Sequence, residues 1–112
     1  MPSIDRRHQR TAKMDKEQVI EIVREYKKAV VSQLNDAEVY LYGSYSKGTA
    51  RPESDIDVAV VVPAVQDDWL DVSTALWLLA PQINCLIEPV LIDQRFPSPL
   101  YDDVLRTGIA VA

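Results

Sequence analysis

Positive charge is scarce in this sequence. Twelve Lys and Arg stand against 17 Asp and Glu in 112 residues, a formal net charge of −5. Proteins that grip nucleic acid rely on a basic face, so direct nucleic-acid binding is not expected. A single cysteine, Cys85, leaves no partner for an internal disulfide and points to a reducing compartment. The one histidine, His8, lies near the N-terminus, so no Ser-His-Asp or Cys-His constellation can be assembled and a zinc site is not expected. Long apolar runs are absent too. The longest, Val58 to Val65, contains Pro63 and falls far short of the roughly 20 residues of a membrane-spanning helix. The polar N-terminus has no apolar segment of the kind a signal peptide requires. Together these absences predict a soluble, cytoplasmic protein.

What remains is an ordinary globular composition, 47% hydrophobic and 26% charged, enough for one core without covalent staples. Residues 1–13, with "RRHQR" at Arg6 to Arg10, read as a flexible basic tail, and 14–112 as a single domain. The tail has two readings, a solvated terminus or a phosphate-binding arm, and Met14 is an alternative start.

Apolar residues at Val19, Ile20, Val23, Tyr26, Val30 and Leu34 recur at helical spacing, and Asp15 with Gln18 has the form of a capping box, so a helix is predicted from about Lys16. "AEVYLY" reads as a strand. Ser44 to Ala50 has room for one or two helical turns, with Pro52 as the stop. "DIDVAVVV" reads as a strand buried on both faces beyond Val58 and ended by Pro63. A helix follows, with Trp69, Val72, Leu76 and Leu79 on one stripe. "NCLIEPVLID" reads as a strand interrupted at Glu88 and Pro89. Ser98, Pro99 and Gly108 mark the cap, first turn and end of a last helix, and "IAVA" offers a short final strand. Trp69 and Trp77 are expected in the core or an interface, and Cys85 buried and inert. The fold class is α+β with α/β-type layers: a small mixed sheet of three to four strands flanked by helices.

The chemistry concentrates between Gly43 and Asp57, "GSYSKGTARPESDID". Asp55 and Asp57 are two apart on a predicted strand, so both carboxylates project from one face. Bare neighbouring carboxylates repel, and a hard cation such as Mg²⁺ or Mn²⁺ between them relieves the repulsion. The bland alternative is a turn aspartate beside a solvated strand end. Gly43 and Ser44 follow a strand and open a short helix, where unpaired backbone N–H groups can cradle an anion. Lys47 and Arg51 add positive charge, or are simply solvated surface cations. Glu88, inside an apolar strand, is either a third member of the carboxylate cluster or an edge-strand glutamate. Asp93 ends that strand and reads as a turn residue.

"YGS" at Tyr42 to Ser44, "SDIDVAV" at Ser54 to Val60 and "LIEPV" at Leu86 to Val90 resemble the pattern of the minimal nucleotidyltransferases in the DNA polymerase β-like superfamily. That pattern has an apolar residue and G-S, then D-x-D in an apolar strand, then a third carboxylate on a later strand. Glutamate followed by proline departs from the more usual aspartate. The resemblance runs from about Val39 to the C-terminus and implies the nucleotidyltransferase fold. It implies that Asp55, Asp57 and Glu88 are catalytic and hold two Mg²⁺ ions, that Gly43 and Ser44 grip the triphosphate of ATP or another nucleoside triphosphate, and that Lys47 and Arg51 offset charge on the departing pyrophosphate. Short members of the family resemble the antitoxin half of a toxin–antitoxin module with a HEPN-type partner, which implies AMP transfer to a tyrosine of such a toxin. Two other expectations stand beside it: a non-catalytic module that masks its partner, and nucleotidyl transfer to an RNA or small-molecule hydroxyl.

Overall fold

The Asp15 carboxylate accepts a hydrogen bond from the Gln18 backbone N–H (2.8 Å) and Gln18 Oε1 accepts one from the Asp15 N–H (3.0 Å), closing the capping box that starts helix α1, Lys16–Val31. The computed structural model describes residues 14–112; the basic tail expected over 1–13 lies outside the described residues. Strand β1 (Glu38–Tyr42) leads into the single turn α2 (Ser44–Lys47), then β2 (Ile56–Val62), helix α3 (Trp69–Ile83), strand β3 (Ile87–Asp93), helix α4 (Pro99–Thr107) and the short strand β4 (Ile109–Val111). The sheet order is β3-β2-β1-β4, with β1 antiparallel to β2 and β4, and β2 parallel to β3. This is the mixed four-stranded sheet with helical layers that the pattern of apolar runs predicts.

Alternation sorts the sheet into two faces. Val39, Leu41, Ile56, Val58, Val60, Ile87 and Leu91 pack with α1 and α3 in the main core. Tyr26 ties these two helices together, its buried hydroxyl donating to the Leu76 carbonyl at 2.9 Å. The opposite face carries Ala59, Val61 and Ile92 against Val104 of α4, with Tyr40, Tyr42, Val90 and Tyr101 around them. β2 is central and buried on both faces after Asp57, which explains its run of β-branched residues.

Some expectations need correction. The turn after β1 ends at Lys47 rather than Pro52, because Gly48 takes the left-handed conformation (φ 77°) and closes it. β3 is not interrupted: it pairs with β2 through seven residues, and Pro89 is tolerated because β3 is a sheet edge. On α3 only Leu76 and Ala80 are buried. Trp69 and Trp77, 48% and 49% exposed, are not core residues. Cys85 is exposed, since it sits in the turn between α3 and β3 rather than on the strand. No helix among the described residues is long and apolar enough to cross a membrane.

Candidate active site

Sheet pairing places three polar side chains in one row. Tyr42, the last residue of β1, stands opposite Asp57 of β2, and Asp57 stands opposite Glu88 of β3. All three lie two positions from residues of the α4-covered face, Tyr40, Ala59 and Val90, so they share that face at one end of the sheet. Asp55 lies one residue before β2 rather than on it, where the Ile56 N–H donates to the Leu86 carbonyl (2.8 Å) and draws the start of β2 to the start of β3.

The carboxylates feel one another. Burial, followed by the charge of Asp55, pushes the Asp57 carboxyl up. Glu88 rises to about 6, first through hydrogen bonding with Asp55, then through burial and the charges of Asp55 and Asp57. Sheet register sets Asp57 beside Glu88, and the charge of Asp55, just before β2, acts on both. Glu88 is exposed, turned away from the core by the pleat, and joins the group by register rather than by burial. It is an edge-strand residue in register with Asp57.

This donor set is all oxygen and anionic, the chemistry suited to a hard divalent cation, and its mutual repulsion is the kind a cation relieves. As the side chains stand, no three Asp, Glu, His or Cys among the described residues converge closely enough to hold a metal ion. The residues fit the ion in kind and in charge.

The turn that faces this row depends on Gly43. Its φ of 75° lies in the left-handed region, and a Cβ there would overlap Oδ2 of Asp57. Glycine thus lets the backbone pass directly over the aspartate. The N–H groups that open a helical turn have no partner within it, and Ser46 steadies the turn by donating to the Gly43 carbonyl (3.0 Å). Arg51 is exposed; its backbone N–H donates to Ser54 Oγ (2.8 Å), which shapes the loop leading to Asp55. Lys47 points toward α4, where its ammonium meets Asp103 Oδ2 at 3.3 Å.

Two residues at this end escape a reading of local sequence. Burial, then the charges of Asp57, Glu88 and Asp103, pushes the Tyr42 phenol up to about 12. Tyr42 sits in the row because consecutive antiparallel strands pair the end of one with the start of the next, a signal available once β1 and β2 are paired. Asp103 reaches the site only through the packing of α4, and nothing local in "LYDDVLR" marks it out. Asp93, by contrast, ends β3 as expected. It is buried, paired with Arg95 at 2.8 Å, and accepts the Val65 N–H (2.8 Å).

Comparison with known proteins places this geometry in context. A family model described as a nucleotidyltransferase domain matches residues 17–110. A candidate protein adenylyltransferase of Methanocaldococcus jannaschii is 29% identical over 99 residues, covering 84% of this chain and 99% of its own. Among solved structures, a toxin–antitoxin complex with AMP-PNP aligns at 26% identity and a TM-score of 0.59, over 80% of this chain and 72% of that one. A candidate minimal nucleotidyltransferase aligns at 26% identity and a TM-score of 0.54, over 88% of this chain and 97% of that one.

Proposed function

Because the chain belongs to the nucleotidyltransferase domain family and is an enzyme of that type, we propose that it transfers AMP from ATP to a protein hydroxyl, a tyrosine of a HEPN-type toxin partner, as the antitoxin of a toxin–antitoxin module. The observation that carries the reading is the row of Asp57 and Glu88 in register beneath the Gly43 turn, with Asp55 beside them. The relatives support a protein acceptor: one is named for protein adenylylation, and another is a toxin–antitoxin complex bearing an ATP analogue.

In the reaction the acceptor oxygen bonds to the α-phosphorus of ATP, the bond from that phosphorus to the α–β bridging oxygen breaks, and pyrophosphate leaves. Asp55, Asp57 and Glu88 would hold Mg²⁺, with Mn²⁺ as a substitute. Bound there, the ions supply charge stabilisation at the attacking and leaving oxygens. Glu88, exposed at the open edge of the row, would hold its ion nearest the acceptor hydroxyl, whose proton passes to solvent. Gly43 and Ser44 present backbone N–H groups to the triphosphate, and Lys47 and Arg51 offset the charge that builds on pyrophosphate. A reducing, cytoplasmic setting suits both the nucleotide and the free Cys85.

Incubation with labelled ATP, Mg²⁺ and the proposed HEPN-type toxin partner tests the proposal. The expected result is a labelled toxin and loss of the label when its acceptor tyrosine is changed to phenylalanine. Absence of transfer with all four nucleotides would overturn it. One feature favours a masking role as the second reading. Leu70, Trp77 and Leu78 form an exposed stripe on α3, and an acidic groove at that helix's start is lined by Asp67, Asp68 and Asp71. Neutralisation of the toxin by an Asp55→Asn, Asp57→Asn variant at equal complex formation would select masking over chemistry.

A further inference from the structure

Lys47 and Asp103 lie 56 positions apart in the chain, yet α2 and α4 bring them to 3.3 Å at the mouth of the site. Asp103 is held from its other side as well: Oδ1 accepts from Arg106 at 3.2 Å, and its backbone carbonyl accepts from the Thr107 hydroxyl at 2.9 Å. Its carboxylate has a second partner in Arg106, while the Lys47 side chain, 44% exposed on a single-turn helix, has no other ion-pair or hydrogen-bond partner among the described residues.

We propose that Asp103 is a positioning residue for nucleotide binding, holding the Lys47 ammonium beside the Gly43–Ser44 turn before the triphosphate arrives. The inference rests on the nucleotide site proposed above. An ammonium has three donors, and one carboxylate oxygen engages one of them, so two remain for phosphate oxygens. Lysine has among the largest rotamer entropies of any side chain, and a lysine already held by Asp103 loses less on binding. The trio Lys47, Asp103 and Arg106 keeps a net charge of +1, so the aspartate orders the cation without cancelling the attraction for a polyanion. The charge of Asp103 also reaches the Tyr42 phenol, as do those of Asp57 and Glu88, which sets α4 on the border of the same site.

Binding of a fluorescent ATP analogue in the presence of Mg²⁺, read by anisotropy, tests this in a double-mutant cycle. Asp103→Asn should weaken binding about three- to fivefold, the range of a partly exposed ion pair. Asp103→Glu should recover most of the loss. In a Lys47→Ala background, Asp103→Asn should change nothing further. Unchanged or tighter binding by Asp103→Asn would overturn the inference, as would an equal loss in the Lys47→Ala background, the mark of a merely structural role. Asp103→Ser, carried through the same cycle with thermal melting of every variant, guards against an effect peculiar to asparagine. Wild type that binds none of the four nucleotides would overturn the underlying site, and this inference with it. Wild type that binds while Asp103→Asn binds equally well would overturn the inference alone.

Discussion

Asp57 and Glu88 face each other across the parallel β2–β3 pair, two acids at matching positions on adjacent strands with no basic side chain paired to either among the described residues. Like charges directly opposite each other in a sheet are destabilising. The fold carries this arrangement at the end of its most buried strand.

Asp57→Asn should therefore separate stability from activity. Transfer is expected to fall at least about 100-fold, in the range lost when charge stabilisation is removed from a reaction centre. The thermal midpoint without divalent cation should stay level or rise, since a source of repulsion is gone. Labelled-nucleotide transfer and calorimetry on the same preparation check both halves.

Glu88 gives the site its pH dependence. Its folded-state pKa of about 6 lies above the ordinary glutamate value. The stability linked to it is fully present below the unfolded value and is lost as pH rises through about 6. The melting temperature of the metal-free protein should decline across that window, and Glu88→Gln should flatten the decline. Glu88→Gln should lower transfer by about 10²- to 10³-fold, the range lost when charge stabilisation is removed from a reaction centre.

Gly43→Ala tests the turn. The methyl group would meet the Asp57 carboxylate, and alanine is strained at a φ of 75°. A loss of roughly 1–3 kcal/mol from the backbone is expected, together with displacement of Asp57 and a drop in nucleotide binding larger than the stability loss explains. Chemical denaturation and nucleotide titration measure the two effects separately.

Asp93 should govern the acid limb. Hydrogen bonding to Arg95 holds its carboxyl below the usual carboxylate range, outweighing the effect of burial. Its stabilising contribution is present above the ordinary aspartate pKa and is lost as pH falls through its depressed folded value. Asp93→Asn should lower stability at neutral pH and shrink the difference between neutral and strongly acid conditions, as followed by circular dichroism.

Much of this was legible in the residues. Asp15, Gln18, Ser98, Pro99 and Gly108 mark helix ends by local chemistry, and the structure uses each as expected. β-branched runs located β2 and β3. Local pattern was less informative where tertiary packing decides. Pro89 looked like an interruption because its tolerance depends on β3 lying at an edge, which is a property of strand order. Trp69 and Trp77 read as core or interface residues, and α3 turns them outward, away from the core. The aspartate pair and Glu88 could be named from spacing, but their meeting depends on register. Lys47 could be named too, but its partner Asp103 emerged only from the way α4 crosses the sheet.

The proline at the rim of the sheet has one more consequence. An approaching strand would need a ladder of donors along the outer side of β3, and Pro89 withholds one beside the exposed carboxylate of Glu88. That flank resists end-to-end growth into larger sheets. It also keeps the last acid of the row at an open margin, where a folded macromolecule can present a hydroxyl sideways without threading a loop into a cleft.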